Sequence, residues 1–323
     1  MSGASDIAVV VIGRNEGARL IASLTSLQGH AGRVIYVDSG STDNSLNAAR
    51  GLGAEVIELD LSQPFTAARA RNAGFFAMAP APPFVQFIDG DCILEPGWIE
   101  AGVDALAKNP DMGIVTGWRS EIHPDASIYN SMAEVEWHRP PGDIEGCGGD
   151  MMVRSDLFGK LGGFNPRVIA AEDEEFCTRV RKAGYRVHRL PLSMTRHDAD
   201  IHRFGQWWQR TVRAGHGFAQ VGRLHPEYFA RERKRVWFYG AALPAIAAIG
   251  VLVSPWLLAV SAAAYAFSYV RTARGLQANG LTQGKALHQA AFLTLSKLPN
   301  LLGILKYHWR AFRRQDMVII EYK

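Results

Sequence analysis

The sequence predicts an α/β protein with a mostly parallel central sheet flanked by helices, followed by a C-terminal helical membrane region. Two observations predict the sheet: short β-branched runs alternate with helical patterns through the first half, and several of these runs end in polar loops. A third observation predicts the additional region. Residues 236–270 are 35 consecutive positions without a charged side chain, which exceeds the roughly 20 that a helix needs to cross a bilayer.

The elements of the first half follow the order strand, helix, strand, which is typical of βαβ units and a parallel sheet. The first strand is predicted at DIAVVVIG, and its N-terminal flank MSGAS carries no basic region, so we interpret it as a core strand and not as a signal peptide. A helix follows with an apolar stripe at Leu20, Ile21, Leu24 and Leu27. Three further strands are predicted at RVIYVDS, AEVIELD and FVQFIDGD.

The changes of pattern along the chain divide it into three parts. We predict a sheet domain at 1–202, with a first half at 1–112 and a second half at 113–202. A basic amphipathic segment follows at 203–235, and an apolar helical region occupies 236–323. The 323 residues are enough for one α/β core of about 200 residues with an appended region.

The basic character of the chain is local. The net charge is only +4, but eight Lys and Arg lie between Arg203 and Arg235 against the two acids Glu227 and Glu232. Aromatic residues such as Trp207 alternate with these arginines, which is typical of an interfacial helix with aromatic anchors. The three cysteines show no CxxC spacing, which disfavours both a disulfide framework and a zinc site and fits a reducing compartment.

The uncharged stretch is interrupted near its middle by Ser254-Pro255. Proline breaks a helix because it lacks a backbone donor, so we predict a hairpin of two helices at 236–270. Both flanks are basic, which by the positive-inside tendency places both on the cytoplasmic side. A third apolar segment at 286–305 contains His288, Lys297 and Pro299 and is predicted to be an interfacial helix. The alternative for the whole region is a buried helical core.

The candidate site lies where the predicted strands end. Ligands of open α/β sheets gather at the carboxyl ends of the strands, so Asp38 and Asp89 should face one crevice. Asp91 follows one residue after Asp89, and paired carboxylates suit a hard divalent cation that also binds phosphates. Gly90 between them allows a diphosphate to approach the backbone. Taken alone, the tripeptide is more typical of a strand-ending turn than of a metal site.

Polar motifs elsewhere in the first half favour a binding site over a simple turn. They are Gly13-Arg14-Asn15-Glu16, the segment from Asp38 to Asp43, and Ala70-Arg71-Asn72-Ala73-Gly74. This set, in this order before D-x-D, resembles the nucleotide-binding half of family 2 glycosyltransferases with the A-type fold. The family pattern runs N-E, V-D-D-G-S-T-D, A-R-N-x-G and D-x-D, and the resemblance covers about residues 7–200. One departure is Ser39, where the family often has a second aspartate.

The resemblance implies roles for individual residues of the first half. Arg14, Asn15 and Glu16 would contact the nucleotide, and Asp38 would lie at the base of the nucleoside. Arg71 would meet the ribose or the phosphates. Asp89 would lie at the ribose or the metal, with Gly90 beside the donor, and Asp91 would bind Mg²⁺ or Mn²⁺ directly.

The second half would bind the acceptor. Four acids at Glu172 to Glu175 begin a predicted helix, where acids also complement the helix dipole. The resemblance to the family's E-D motif implies that Asp173 is the base that deprotonates the acceptor hydroxyl. Glu172 would bind the acceptor or help to set the pKa of this base. Gly149, in the glycine-rich stretch 146–149, is a further candidate for acceptor binding. His197 would supply an imidazole ligand to the metal.

The function implied is inverting transfer of a hexosyl-type sugar from a nucleotide diphosphate-sugar to a hydroxyl acceptor, in synthesis of a cell-surface polysaccharide or glycolipid. The expected partners are the donor, a glycan or lipid-linked acceptor, and the membrane, without nucleic acid. The catalytic domain would face the cytoplasm at the inner membrane. The family's processive Q-x-x-R-W element is not matched by QWWQR at 206–210. Two alternatives are a nucleotidyltransferase and a non-catalytic membrane component of a polysaccharide assembly complex.

Overall fold

The structure is a computed structural model that describes residues 7–322. The MSGASD part of the predicted N-terminal segment, including Asp6 of the first predicted strand, therefore lies outside the described residues. The chain divides into two compact units. The first comprises Met1–Ala126 and Ala133–Asp200, and the second comprises Ser127–Met132 and Ile201–Lys323.

Within the residues that the structure describes, the first unit contains nine strands and the helices that cover them. The strands are β1 (Ile7–Gly13), β2 (Arg33–Asp38), β3 (Glu55–Glu58), β4 (Phe84–Asp89), β5 (Cys92–Leu94), β6 (Met112–Glu121), β7 (Gly142–Asp143), β8 (Met151–Arg154) and β9 (Arg186–His197). The helices are α1 (Ala18–Ser26), α2 (Ser45–Gly51), α3 (Ala67–Phe76), α4 (Trp98–Lys108), α5 (Ile128–Trp137), whose first turns belong to the second unit, α6 (Ser155–Lys160) and α7 (Glu172–Lys182).

The strands form one sheet in the order β3-β2-β1-β4-β8-β6-β9-β5, with β7 paired to β9. The predicted α/β sheet flanked by helices is confirmed. Pairing is parallel among β3, β2, β1 and β4 and between β6 and β9. Strands β8, β5 and β7 pair in the antiparallel sense, so the whole sheet is mixed, with four consecutive parallel strands in the first half.

The register of the central strands brings the predicted acids to one edge. Gly13, at the end of β1, is opposite Asp38 on β2, and Ile12 is opposite Asp89 on β4. The body of β1 is fully buried because alternate valines face apolar clusters on opposite faces of the sheet, Val10 on one face and Val9 on the other. A strand buried on both faces must be apolar throughout, so its first polar side chains fall in the loop beyond its end.

Helix α3 packs unusually close to the sheet because of Gly74. A Cβ atom at this position would lie 2.4 Å from Cγ1 of Val10 and 3.0 Å from Cγ2 of Val37. Any larger residue would push α3 away from β1 and β2. The glycine of the A-R-N-x-G motif therefore sets the position of the helix that carries Arg71.

The second unit is helical. Its helices are the start of α5, then α8 (Phe204–Leu224), α9 (Ala230–Trp237), α10 (Leu243–Val253), α11 (Pro255–Ala278), α12 (Gln283–Leu295) and α13 (Lys297–Phe312), and a π-helical turn at Phe238–Ala242 joins α9 to α10. Helices α8 and α13 touch through their backbones. A Cβ atom on Gly215 would lie 2.1 Å from the carbonyl oxygen of Asn300, and one on Gly303 would lie 2.0 Å from that of Val212.

The uncharged stretch contains the predicted helix break. Ser254 has an extended conformation between α10 and α11, and Pro255 begins α11, where a missing backbone donor does no harm. Among residues 7–322, one continuous helix is long and apolar enough to cross a membrane, Ala230–Val253, with a mean hydropathy of 2.0 in its most apolar window. This helix contains the first arm of the predicted hairpin.

Two expectations for the helical unit need correction. The third apolar segment is not one helix, because α12 ends at Leu295 and α13 begins at Lys297, with Pro299 inside the first turn of α13. Trp207, expected as an interfacial anchor, is instead 4% exposed and packs against Phe292 at a ring distance of 5.1 Å. It is buried because one face of α8 packs into the interior of its own unit.

Candidate active site

The loops after β1 and β2 are joined by Asn15. The side-chain oxygen of Asn15 accepts a hydrogen bond from the backbone N–H of Thr42 at 2.7 Å, and its own backbone N–H donates to Oγ of Ser41 at 2.8 Å. Asn15 has a φ of 56°, in the left-handed region that asparagine tolerates better than most residues. The asparagine predicted to contact the nucleotide thus fixes the two loops that would surround it.

Asp38 is a buried acceptor of three hydrogen bonds. One carboxylate oxygen accepts from the hydroxyl of Tyr36 at 2.9 Å, and the other accepts from the backbone N–H groups of Gly40 at 2.9 Å and Ser41 at 2.7 Å. The carboxylate is therefore held in one orientation at the end of β2. These bonds give Asp38 a structural task in addition to the predicted one at the nucleoside base.

Arg14 and Glu16 flank Asn15 and have separate contacts. The guanidinium of Arg14 lies 4.7 Å above the ring of Phe65. Glu16 forms an ion pair with Arg19 at 2.9 Å, and Arg19 reaches Asp200, after the end of β9, at 3.4 Å. The loop after the first strand is thereby tied to the segment after the last one.

Gly90 brings the two aspartates close to the end of β1. Its backbone N–H donates to the carbonyl of Ile12 at 2.8 Å, and a Cβ atom at this position would lie 3.0 Å from the same oxygen. A side chain here would crowd the backbone of β1. The middle residue of the D-x-D motif must consequently be small for the motif to keep its place.

Asp91 and His197 meet beyond the strand ends. Strand β5 pairs with β9 so that Cys92 is opposite His197, and Nε2 of His197 lies 3.3 Å from Oδ1 of Asp91. Both side chains are about 10% exposed. The imidazole also packs edge-on against the ring of Trp137 at 4.6 Å. The structure thus brings together the two residues that the sequence predicts as metal ligands.

This donor set fits a divalent cation such as Mn²⁺ or Mg²⁺. Mg²⁺ and Mn²⁺ bind carboxylate oxygen, and imidazole nitrogen is a common ligand of transition-metal ions. The thiol of Cys92 lies 3.8 Å from Asp91, but a soft sulfur ligand does not suit Mg²⁺ or Mn²⁺, which favour oxygen ligands. The ligands would therefore be Asp91 and His197, with Cys92 as a packing residue.

Arg71 joins the two halves of the candidate site. Its guanidinium donates to Glu172 at 2.7 Å and to Asp89 at 2.6 Å, and its side chain is only 3% exposed. The guanidinium connects the first residue of α7 to the end of β4. The residue predicted to contact the ribose or phosphates is, in this structure, enclosed by two carboxylates. Removing one partner of such a buried pair typically costs about 3–5 kcal/mol.

Asn72 ties the A-R-N-x-G helix to the LGGF turn. Its amide donates to the carbonyl of Phe164 at 2.7 Å and accepts from the backbone N–H of the same residue at 2.8 Å. These two hydrogen bonds to the backbone of one residue hold the segment that leads into α7. The motif therefore acts as a unit, with Arg71 and Asn72 both bonded to the second half.

The sequence did not identify Asp150 and Arg119. Asp150 is 1% exposed and accepts from the hydroxyl of Thr195 at 2.8 Å and from the backbone N–H of Asp89 at 3.0 Å. Arg119 forms an ion pair with Asp150 at 2.9 Å and lies 4.0 Å from Asp89. Charges therefore alternate along Glu172, Arg71, Asp89, Arg119 and Asp150. The sequence did contain a signal for Asp150: it directly follows the glycine-rich stretch 146–149 and directly precedes the apolar strand MMV.

Gly149 leaves room for Arg71. A Cβ atom on Gly149 would lie 1.9 Å from one terminal nitrogen of the Arg71 guanidinium. The side chain cannot move freely away because two carboxylates hold it. Gly149, predicted to bind the acceptor, therefore has a second and demonstrable task in placing this cation.

We expect Gly149→Ala to displace Arg71 and to lower the free energy of unfolding by about 1–3 kcal/mol, the usual cost of overpacking. The same change should weaken donor binding because Asp89 loses its partner. Urea unfolding and donor titration would measure both effects. Gly159→Ala is the control, because a Cβ atom there meets nothing within 4 Å. Equal behaviour of the two variants would contradict this role for Gly149.

The carboxyl of Asp173 differs from that of an ordinary aspartate. Burial raises its pKa well above the usual value, and the neighbouring Glu172 and Glu174 raise it further, while Arg71 opposes them. A carboxyl with a raised pKa is a stronger base, which suits proton abstraction from a hydroxyl. Among the other acids of this turn, Glu175 pairs with Arg179 at 2.9 Å and has a structural role.

Comparisons with known proteins give a family match for the first unit. Residues 8–154 match the sequence model of the family described as "Glycosyl transferase family 2". This region contains β1 to β8 and the D-x-D motif. That segment of the chain therefore matches a family 2 glycosyltransferase domain.

Individual relatives cover different parts of the chain. It is 28% identical over 238 residues to the "Pre-mycofactocin glycosyltransferase" of Mycobacterium tuberculosis, an alignment over 69% of this chain and 48% of that protein. It is 27% identical over 180 residues to an "O-antigen chain rhamnosyltransferase" of Salmonella anatum, which covers 51% of this chain and 56% of that one. The chain spans about half the length of these relatives.

A solved structure shares the fold over most of the chain. A mannosyltransferase from Pyrobaculum calidifontis, determined in complex with GDP-Man and Mn²⁺, superimposes with a TM-score of 0.62 at 20% identity. The match covers 94% of this chain and 87% of that one. The A-type glycosyltransferase fold expected from the resemblance is confirmed.

Proposed function

We propose that this protein is an inverting, metal-dependent glycosyltransferase that moves a sugar from a nucleotide diphosphate-sugar to a hydroxyl acceptor. The observation that carries the proposal is the buried bridge from Glu172 through Arg71 to Asp89. At one end of the bridge, Glu172 directly precedes the candidate base, Asp173. At the other end, Asp89 lies two residues before the candidate metal ligand, Asp91. A donor site and a base are thus built into one connected set of charges.

Each residue has a role in the proposed reaction. Asp91 and His197 would hold Mn²⁺ or Mg²⁺, which when bound offsets the negative charge of the departing diphosphate. The loops fixed by Asn15 and Asp38 would receive the nucleoside. Asp89 would orient the ribose while Arg71 keeps its carboxylate in place. Glu172 and Gly149 would border the acceptor.

The chemical step needs only one carboxylate base. Asp173 would take the proton of the acceptor hydroxyl, whose oxygen then forms a bond to the anomeric carbon as the bond to the diphosphate oxygen breaks. Attack from the face opposite the leaving group inverts the anomeric configuration. Proton NMR of the purified glycoside, whose new glycosidic bond fixes the anomeric configuration, tests this. An α-linked donor should give a β-linked product, and a retained configuration would overturn the inverting assignment.

We expect the rate of transfer to increase with pH as Asp173 loses its proton. The raised pKa of this carboxyl means that the base form is lost at pH values where an ordinary aspartate, with a pKa of about 4, is still ionised. The profile of kcat/KM against pH should show the acid limb above that value. Glu174→Gln should move the limb to lower pH because it removes a neighbouring negative charge. An acid limb that does not respond to this variant would contradict the assignment.

The helical unit would attach the enzyme to the cytoplasmic face of the inner membrane. Support comes from the apolar helix Ala230–Val253 and from the basic residues at its N-terminal end. An acceptor on a lipid or a growing cell-surface glycan would then be within reach. Sedimentation of the full chain with membranes, and its release by detergent but not by high salt, tests this attachment. Full solubility in high-salt buffer without detergent would overturn it.

A further inference from the structure

The helical unit contains a surface cavity that none of the roles above uses. It has a volume of about 700 Å³ and is formed by the end of α8, the start of α9 and one face of α13. The residues that line it are Ala219, Arg223, Pro226, Ala230, Arg233, Lys234, Trp237, Ile304 and His308. All of them belong to the second unit.

One side of the cavity is strongly basic. Arg223, Arg233 and Lys234 contribute three cations, and His308 adds a side chain that can become a fourth. No Asp or Glu is among its lining residues in the part of the chain that the structure describes. Like charges held together repel one another, so an anion in the cavity would be bound favourably.

Arg233 is partly buried and is held in place by contacts with its own unit. Its guanidinium donates to the carbonyl of Pro226 at 2.7 Å. It also packs on Gly222, where a Cβ atom would lie 2.6 Å from Nε of the arginine. A guanidinium fixed in this way presents its remaining N–H groups in a defined direction, which suits the paired oxygens of a phosphate.

The other side of the cavity is apolar. Ile304 and Ala219 form its buried wall, and Trp237 is 46% exposed at its edge. An inorganic anion would leave the exposed face of Trp237 in contact with water. A phosphate ester that carries an alkyl chain would cover it.

The position of the cavity along the sequence points to the same ligand. Arg233 and Lys234 lie in the first turns of the helix Ala230–Val253, just before its uncharged part begins at Val236. In a bilayer, this end of an apolar helix lies at the level of the lipid head groups, where anionic lipids attract basic side chains. Trp237 is also of the type that concentrates at this level.

We propose that this cavity binds the phosphate of an anionic membrane lipid, with Arg223, Arg233 and Lys234 on the phosphate and Trp237 and Ile304 against the start of its chain. The proposal rests on the membrane attachment described above. It adds a defined head-group site to a contact that would otherwise be diffuse. Bound lipid would hold α8, α9 and α13 at a fixed depth in the interface.

The test uses the full chain purified in a neutral detergent and titrated with phosphatidylglycerol, with bound lipid counted by native mass spectrometry. The variant with Arg233→Gln and Lys234→Gln should bind about tenfold more weakly. The control with Arg231→Gln and Arg235→Gln removes the same charge from the same helix outside the cavity, and should lose less than about threefold. Arg223→Gln, on the exposed part of α8, provides a second test that does not alter α9.

Equal losses in the two double variants would overturn the head-group site and leave only diffuse attraction. Competition by inorganic phosphate at the same concentration as the lipid would also overturn it, because the alkyl chain of the lipid would then contribute nothing to binding. Both outcomes leave membrane attachment intact. A chain that binds no lipid and stays soluble without detergent would overturn the attachment and the site together.

Discussion

Asp173→Asn should reduce the rate of sugar transfer by about 10²- to 10⁴-fold, the range for loss of a general base. The amide cannot accept the proton of the acceptor hydroxyl, yet it keeps the shape of the carboxyl and its hydrogen bond from the backbone of Glu174 at 2.8 Å. Donor binding should therefore be nearly unchanged. Single-turnover kinetics would measure the rate, and donor titration would measure the binding.

The control for this substitution is Asp156→Asn, an exposed acid in the first turn of α6. It should transfer sugar at the wild-type rate. If Asp173→Asn kept a rate within about threefold of wild type, the base would have to be a different group. Glu172→Gln should behave differently from both, because it weakens the pair with Arg71 and should raise KM together with a lower kcat.

Asp91→Ala should abolish the dependence of donor binding on Mn²⁺ and weaken that binding by at least about tenfold to a hundredfold. The carboxylate is the hard-oxygen donor next to His197, and without it the imidazole alone would hold the cation poorly. Calorimetric titration of a nucleoside diphosphate, with Mn²⁺ and then with EDTA, measures the effect. In the variant the two titrations should coincide.

A matched control is Asp104→Asn, an exposed acid whose partner is Lys108 at 2.8 Å. It should keep the full response to Mn²⁺. A response retained by Asp91→Ala would contradict the assignment of this aspartate as a ligand. His197→Ala should lie between the two, with metal affinity lowered and the site still occupied at high Mn²⁺ concentration.

The acids at the strand ends could be predicted from the sequence because the pattern that marks them lies within each strand. Asp38 and Asp89 end apolar runs, and parallel strands put their carboxyl ends at one edge, so their proximity follows from pattern alone. His197 could be predicted only through the family resemblance. The antiparallel pairing that places it against Asp91 joins residues more than a hundred positions apart, and no local pattern encodes it.

The internal ion pairs could not be predicted. Arg71 looks like a residue on the surface of a helix, yet Asp89 and Glu172 enclose it, and Gly149 provides the space. Its partner Glu172 lies 101 residues further along the chain. Charged residues are seldom buried, so a search for exposed functional acids passes over Asp150 altogether.

The helical unit shows a different limit. The break at Ser254 follows from proline chemistry and was predictable, whereas the burial of Trp207 depends on packing against Phe292 in a distant helix. Hydropathy distinguishes apolar from polar segments, but it does not distinguish a side chain facing lipid from one facing another helix. For the same reason, the net charge of the basic segment could be read from the sequence, but the cavity that Arg233 and Lys234 line could not be predicted.

The most direct test of the central claim is a turnover screen. The purified chain is incubated with a panel of nucleotide sugars, with Mn²⁺ or with EDTA, and the released nucleotide is identified by chromatography. We predict release of a nucleoside diphosphate from one or a few donors, only with Mn²⁺, and none by Asp91→Ala. In a parallel incubation with nucleoside triphosphates and a sugar phosphate, release of inorganic diphosphate would identify a nucleotidyltransferase. No turnover of any donor with Mn²⁺ and membrane extract as acceptor would contradict the assignment of an enzyme.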